Sequence, residues 1–450
     1  MCQMTLEQAA KLCGGSAAPE DAQIAFRGAR ADSRKITKGQ LFVALKAERD
    51  GHDFATAAMQ NGAAAVLGER PIEGLPVLVT KNALSALGAI AKGWREHLAA
   101  KVIGITGSVG KTNTKEMTAA VLQSALKTTK TEENFNNNIG LPMTLLDIPE
   151  DAEASVVEMG MNHFGELSYL TSLAQPDIAV ITNIGTMHIE HLGSRQGILK
   201  AKLEILEGLR PGGTVIFNGD EPLLREADIP YKPVFFGIDT DCDLRAYDVE
   251  YKEGCVSFRA VGLGEDFTVT VPAEGKHHVY DALAAIAVGL TCKVPAQKIA
   301  AALAGFENTG NRQRIFEKDG YTVIADCYNA GPESMEAALQ ILSSKQSSGR
   351  KIAVLGDMLE LGMITQAAHF ALGQKTASAA DMVFAYGPNS MRVVAGAIDA
   401  GMPEEDARCY DSHASLLADL RRNARKGDIL LFKGSHGMHM EQVMEQFFEP

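Results

Sequence analysis

Several absences narrow the reading of this chain before any motif is considered. No run approaches the roughly 18 apolar residues that a membrane-spanning helix needs, so no membrane span is expected. There is no C-x-x-C pair. The 7 cysteines (Cys2, Cys13, Cys242, Cys255, Cys292, Cys327 and Cys409) are odd in number and scattered, which points to a reduced, cytoplasmic protein rather than a disulfide scaffold. Internal repeats and low-complexity tracts are missing as well. Long basic blocks are also lacking: 43 Lys+Arg stand against 56 Asp+Glu, a net charge of −13. Without clustered cations to neutralise phosphates, no nucleic-acid partner is expected. The one short basic cluster, Arg421, Arg422, Arg425 and Lys426 before Gly427, reads as a helix end with cations near its last carbonyls. The N-terminal residues are expected to form a helix rather than a signal peptide, because Thr5-Leu6-Glu7-Gln8 has the form of a capping box and Gly14-Gly15 that of a stop.

What is present is a globular balance, with 46% hydrophobic residues over 450 positions. At about 150 residues per domain that length predicts three domains. The first hundred residues mix short apolar runs, such as 41–45 and 63–68, with turns, as an α/β module does. From Lys101 the alternation is regular. Residues 102–106 read as a buried strand, Gly107 to Gly110 as a tight loop, and 112–126 as a helix. Further buried strands are expected at 155–157, 178–181 and 214–217, then a β-rich excursion over 231–271 and a helix over 277–290. A third set of strands at 321–325, 351–355, 382–385 and 428–432 runs into Asp326, Asp357, Tyr386 and Lys433. Polar residues at the carboxyl ends of parallel strands are where open α/β sheets bind ligands.

The segment Gly104-Ile105-Thr106-Gly107-Ser108-Val109-Gly110-Lys111-Thr112 follows a predicted strand and opens a predicted helix, the context of a phosphate-binding loop. Glycines let backbone N–H groups reach phosphate oxygens, and the helix N-terminus adds partial positive charge. Lys111 would reach the β- and γ-phosphates and Thr112 would present its hydroxyl to Mg²⁺. The first glycine of the longer consensus is absent, because Ile105 stands there. Downstream, Asn134-Phe135-Asn136-Asn137-Asn138-Ile139-Gly140-Leu141-Pro142 concentrates amides that can orient a carboxylate or phosphate without adding charge. Glu158 ends a strand, where a metal-holding carboxylate is expected. His188 lies just past another strand; zinc on His188 and His191 lacks a third ligand at suitable spacing. Lys202, read alone, is a solvated helical lysine.

In this order the motifs resemble the Mur ligase family, ATP-dependent enzymes that build the UDP-muramoyl peptide of the bacterial cell wall. The set is G-[ST]-x-G-K-T, an amide-rich loop, a strand-end Glu, N-I-x-x-x-H, A-K-x-E-I, and Gly275-Lys276-His277-His278-Val279-Tyr280-Asp281. The segments 158–167, 326–332, 355–362 and 433–438 are similar to the branch that attaches D-alanyl-D-alanine to UDP-N-acetylmuramoyl-tripeptide through an acyl phosphate. The resemblance implies an α/β protein of three domains: a UDP-substrate module (1–100), a central P-loop parallel-sheet ATPase domain (101–308) and a doubly wound C-terminal domain for the amine (309–450). It implies ATP on Gly107, Ser108, Val109, Gly110, Lys111 and Thr112, with His278, Asp281, Arg312 and Asp326 completing the nucleotide site. Mg²⁺ would be held by Thr112, Glu158, His188 and Lys202, the last carbamylated, and Asn138 would join Lys111, Glu158, His188 and Lys202 as catalytic residues. Ser33, Arg34, Asn137, Asn329, Asp357 and Lys433 would bind substrate, and a monomer is expected. Three positions depart from the family pattern: His278 and Asp281 replace asparagines, and His436 replaces an arginine. A same-fold ligase with another amine or acyl acceptor, or a nucleotide-binding regulatory homologue without turnover, would share much of this motif set. Retention of Lys111, Glu158, His188 and Lys202 argues against the regulatory homologue.

Overall fold

The computed structural model describes residues 2–307, 313–346 and 348–449. Arg312 and the expected boundary at residue 308 lie outside the described residues. Among these residues the strands form four sheets, two of them small and N-terminal. A parallel four-stranded sheet (Ala29–Arg30, Leu41–Val43, Ala65–Gly68, Val77–Val79) is joined by an antiparallel pair, Met4–Thr5 with Ala25–Phe26. The expected capping box is present: the Gln8 N–H donates to Thr5 Oγ1 at 3.3 Å and the Thr5 N–H to Gln8 Oε1 at 2.8 Å. That helix ends at Gly14, whose φ of 65° only glycine adopts readily.

The central sheet has nine strands, and Lys101–Thr106 lies within it between Ala154–Glu158 and Ile178–Ile181, parallel to both. The chain leaves this strand towards one side and later returns to the other, so the sheet has its topological switch point at the end of Lys101–Thr106. Parallel pairing continues through Thr214–Asn218 and Val234–Gly237 to Leu244–Lys252. Then Cys255–Gly262 and Glu265–Val271 add antiparallel strands, the β-rich excursion expected from sequence. The helix expected at 112–126 runs Lys111–Gln123. It stops early because the Ser124 hydroxyl turns back onto Val121 O at 2.7 Å and the chain closes into a turn.

Apolar residues alternate across these buried strands. Ile103, Ile105, Val156 and Val180 pack with Met117, Leu283 and Ile286 on one face, whereas Val102, Val157, Ala179 and Ile181 pack with Leu145, Leu170 and Ile205 on the other. The second face is shared with the N-terminal region through Leu87 and Ile90 of the helix Ala83–His97. That helix carries Trp94, the only tryptophan, whose indole N–H donates to Ile148 O at 3.0 Å. It also carries the fully buried Arg95, which donates to the carbonyls of Leu98, Ala100, Ala174 and Gln175 and to Asp177.

The C-terminal sheet runs in the order Arg314–Lys318, Tyr321–Asp326, Ile429–Lys433, Lys351–Gly356, Met382–Tyr386, Ala407–Tyr410, parallel except at its first edge. Helices cover both faces: Leu339, Leu372 and Val393 pack on Ala353 and Leu355, while Leu416, Val443 and Phe447 pack on Val354 and Phe432. This is the doubly wound arrangement read from the four apolar runs.

Candidate functional site

At the carboxyl end of Lys101–Thr106 the chain turns so tightly that side chains are excluded. A Cβ on Gly107 would stand 1.9 Å from Thr182 Oγ1, and one on Gly110 would stand 2.6 Å from Asp281 Oδ1. Lys111 folds back over this loop, its ammonium donating to Gly107 O at 2.8 Å and Ser108 O at 3.2 Å. The Thr112 hydroxyl donates to Glu158 Oε2 at 2.9 Å, and Asn136 Nδ2 donates to the other oxygen at 2.9 Å. Glu158 is 1% exposed, and the equally buried Lys115, which pairs with Glu116 at 2.9 Å, lies 4.0 Å from it. A hydroxyl and a carboxylate brought together in this way suit a hard cation that completes its shell with phosphate oxygens and water. Among the described residues no cluster of three or more His, Cys, Asp or Glu forms a full metal cage.

His188 sits in the left-handed region at φ 63°. Its Nδ1 faces Glu360 of the C-terminal sheet's loops. Burial holds the imidazole below its ordinary pKa against the opposing pull of Glu360, and the nearby charges of Lys111 and Lys202 add to the lowering. Lys202 is 2% exposed, and among the described residues no carboxylate pairs with it. Burial, with the Lys111 charge adding, holds it well below 10.5.

The phosphate loop, Asn136 to Asn138, Glu158 and His188 line one cavity of about 840 Å³. Its opposite wall is C-terminal: Asp326, Tyr328, Asn329 and Lys433. Asp326 and Lys433 are register partners on adjacent strands, and Lys433 Nζ donates to Asp326 Oδ2 at 2.6 Å and to Asn329 O at 3.0 Å. Asn138 faces the cavity, whereas Asn137 Oδ1 also accepts from the N–H groups of Ile139 and Gly140 at 3.1 and 2.8 Å. Three expected substrate residues lie away from this cavity. Ser33 and Arg34 are on the N-terminal sheet's loop, with Arg34 paired to Asp32 at 2.8 Å. Asp357 is 1% exposed, and its Oδ2 receives both N–H groups of Asn389, at 3.0 and 2.8 Å, so it anchors the next loop.

Family models match along the chain: the Mur ligase family catalytic domain at residues 26–106, the Mur ligase middle domain at 105–289, and the Mur ligase glutamate ligase domain at 311–436. The UDP-N-acetylmuramoyl-tripeptide–D-alanyl-D-alanine ligase of Bacillus subtilis is 40% identical, covering 100% of this chain and 99% of that one. The chain belongs to the Mur ligase family. Among solved structures, MurF from Acinetobacter baumannii is similar over 100% of both chains with a TM-score of 0.89 at 31% identity. MurF ligase from Thermotoga maritima in complex with ADP is similar with a TM-score of 0.80 at 29% identity, over 94% of this chain and 97% of that one.

The three family departures have visible surroundings in this Mur ligase. Asp281 Oδ1 accepts from the Thr114 hydroxyl at 2.8 Å. Its other oxygen is buried without a hydrogen-bond partner, 3.6 Å from His278 Nδ1, which also lacks one. The His277 and His278 Nε2 atoms both meet Gln313 Oε1, at 2.7 and 3.0 Å. His436 lies beside Tyr328, with ring centroids 6.1 Å apart. Sequence reading missed Asn183, Glu333 and Glu360. Asn183 stands in a segment read for its histidine, while the two glutamates belong to another domain and carry no local spacing signal.

Proposed function

We propose that this chain is the ATP-dependent ligase that joins D-alanyl-D-alanine to UDP-N-acetylmuramoyl-tripeptide, yielding the UDP-pentapeptide precursor of peptidoglycan. The observation that carries this reading is the single cavity in which the phosphate loop and Glu158 face Asp326, Asn329 and Lys433 of the C-terminal domain. A carboxylate cannot be displaced by an amine at neutral pH, because oxide is too poor a leaving group. The tripeptide carboxylate oxygen therefore attacks the γ-phosphorus of ATP, ADP departs, and an acyl phosphate forms. The dipeptide amine then attacks the acyl carbon and inorganic phosphate leaves.

Lys111 neutralises charge developing on the transferred phosphoryl group, and the N–H groups at the start of Lys111–Gln123 bind its neighbour. Thr112 and Glu158 would hold Mg²⁺, which supplies Lewis-acid stabilisation of the phosphate oxygens when bound. His188 lines the same cavity with its Nδ1 on Glu360, a carboxylate partner that fixes the ring and leaves Nε2 to act as a ligand. Lys202 suits carbamylation: burial lowers its pKa and so favours the neutral amine, which can add CO₂ and lose a proton, creating an anion beside Lys111. Asn138 orients the reacting groups. Asp326 and Arg312 complete the nucleotide site with His278 and Asp281, and Asn329 and Lys433 face the dipeptide. Ser33 and Arg34 bind the UDP end, and a guanidinium suits that diphosphate. Domain limits at 100 and 308, a monomer, and a cytoplasmic location complete the reading; among the described residues no helix is long and apolar enough to cross a membrane.

The test is phosphate release from ATP with UDP-N-acetylmuramoyl-tripeptide and a panel of amines, with the product weighed by mass spectrometry. Turnover with D-alanyl-D-alanine is expected. Turnover with another amine and none with this one would overturn the substrate assignment.

A further inference from the structure

Residues 182–188, between the strand Ile178–Ile181 and the helix Ile189–Leu192, touch both the phosphate loop and the C-terminal domain. One end braces the loop. Asn183 Oδ1 accepts from the Ser108 and Val109 N–H groups at 3.0 and 2.9 Å, the Thr182 hydroxyl donates to Val109 O at 2.6 Å, and the Gly185 N–H donates to Ser108 Oγ at 2.9 Å. The other end meets the C-terminal domain, where the Thr186 hydroxyl is 3.0 and 3.2 Å from the two carboxylate oxygens of Glu333. Two residues on, His188 meets Glu360.

The seam between these segments is too close for side chains at three points. A Cβ on Gly185 would stand 3.0 Å from the Glu333 carboxylate carbon, one on Gly331 would stand 2.8 Å from Met187 Cγ, and one on Gly362 would stand 3.1 Å from Glu190 Cα. Glu333 lies in the first turn of the helix Pro332–Ser344, where any acid interacts favourably with the helix dipole. The dipole accounts for an acid there. It does not account for a carboxylate laid against Gly185 with both oxygens on a hydroxyl of another domain.

We propose that Glu333 is a positioning residue for the ligase reaction. Through Thr186 it fixes the seat of the C-terminal domain on the segment that braces the phosphate loop, so that the amine side and the phosphoryl side stay in register. This inference rests on the ligase reading above. Its test uses the full-length chain carrying Glu333→Ala, Glu333→Gln, Thr186→Val, or Thr186→Val with Glu333→Ala. Glu333→Ala and Thr186→Val are each expected to lower kcat for amide formation by about tenfold or more, with the Kd of the free enzyme for ATP unchanged. Glu333→Gln keeps an acceptor for the hydroxyl and should recover most of the rate. The double variant should be no slower than the slower single, because both residues act through one contact.

A second readout needs no turnover: hydrogen exchange of residues 182–192 and of the phosphate loop should accelerate in Glu333→Ala and not in Glu333→Gln. Unchanged exchange, a kcat within about twofold of wild type, additive losses in the double variant, or a lowered melting temperature with kcat intact would each overturn the proposal. Failure of the ligase reading shows separately, as wild-type chain that does not turn over these substrates, and the exchange measurement then still decides whether the contact governs the loop.

Discussion

Two parts of this ligase are assigned to phosphate groups and are built on opposite terms. In the phosphate loop, Lys111, Thr112 and Glu158 already hold one another or the loop, and the Ser108 and Val109 N–H groups are braced by Asn183. At the N-terminal end, the Arg34 side chain is 87% exposed and, among the described residues, its guanidinium pairs with an aspartate two residues away and no other carboxylate. Groups that stabilise a transition state act best when no reorganisation is left to do, so the phosphoryl-transfer end is fixed. A recognition arm can instead be ordered by its ligand, at a cost in affinity rather than in rate.

The contrast is broken most severely at Lys111. Lys111→Ala should lower kcat on the order of 10²–10³-fold, as loss of one preorganised charge-stabilising donor does, with the melting temperature little changed. Phosphate release and thermal unfolding measure the two halves of that statement. Lys202→Ala should lose about 10²-fold in kcat and regain activity with added short carboxylic acids, which replace the missing anion. Full activity without rescue would remove Lys202 from the chemistry. Arg34→Ala is the milder case: KM for the UDP substrate rises about tenfold, while kcat and KM for ATP hold. If KM for ATP rose equally, the two ends would not be the separate devices described.

The smallest effect is on stability, and it is carried by Lys202. Burial, with Lys111 adding, holds its pKa well below 10.5, so in the window just below 10.5 the folded chain binds fewer protons than the unfolded chain. Stability from this group therefore rises with pH towards 10.5 and falls as pH drops. In carbonate-free buffer Lys202→Met should unfold at higher denaturant than wild type at pH 7, and the gap should shrink as pH approaches 10. A gap that widens with pH would contradict the lowered pKa of this buried amine.

Local features were legible in the sequence, and features assembled across the fold were not. The loop 107–112 could be read because its glycines, lysine and threonine act within one turn of chain. The strands could be read because doubly covered parallel strands are continuous apolar runs. Glu158 could be placed at a strand end, but not its bond to Thr112, which spans 46 residues. The Glu333 and Glu360 contacts span 147 and 172 residues and follow from how two domains seat, which no spacing encodes. Asp357 shows the reverse case. It stands just past a strand end where ligands bind, yet it lies buried with its Oδ2 accepting from Asn389. The amide loop was read as one feature and divides in the structure: Asn136 holds Glu158, Asn137 Oδ1 also accepts from the N–H groups of Ile139 and Gly140, and Asn138 faces the cavity.

The central claim is that the tripeptide carboxylate is activated as an acyl phosphate in the cavity between the phosphate loop and Lys433. It is tested most directly by supplying UDP-N-acetylmuramoyl-tripeptide labelled with ¹⁸O in its terminal carboxylate, together with ATP and D-alanyl-D-alanine, and weighing the released phosphate. The mechanism predicts one carboxylate oxygen transferred to inorganic phosphate for each amide bond formed. Phosphate released without the label, alongside full amide formation, would contradict it.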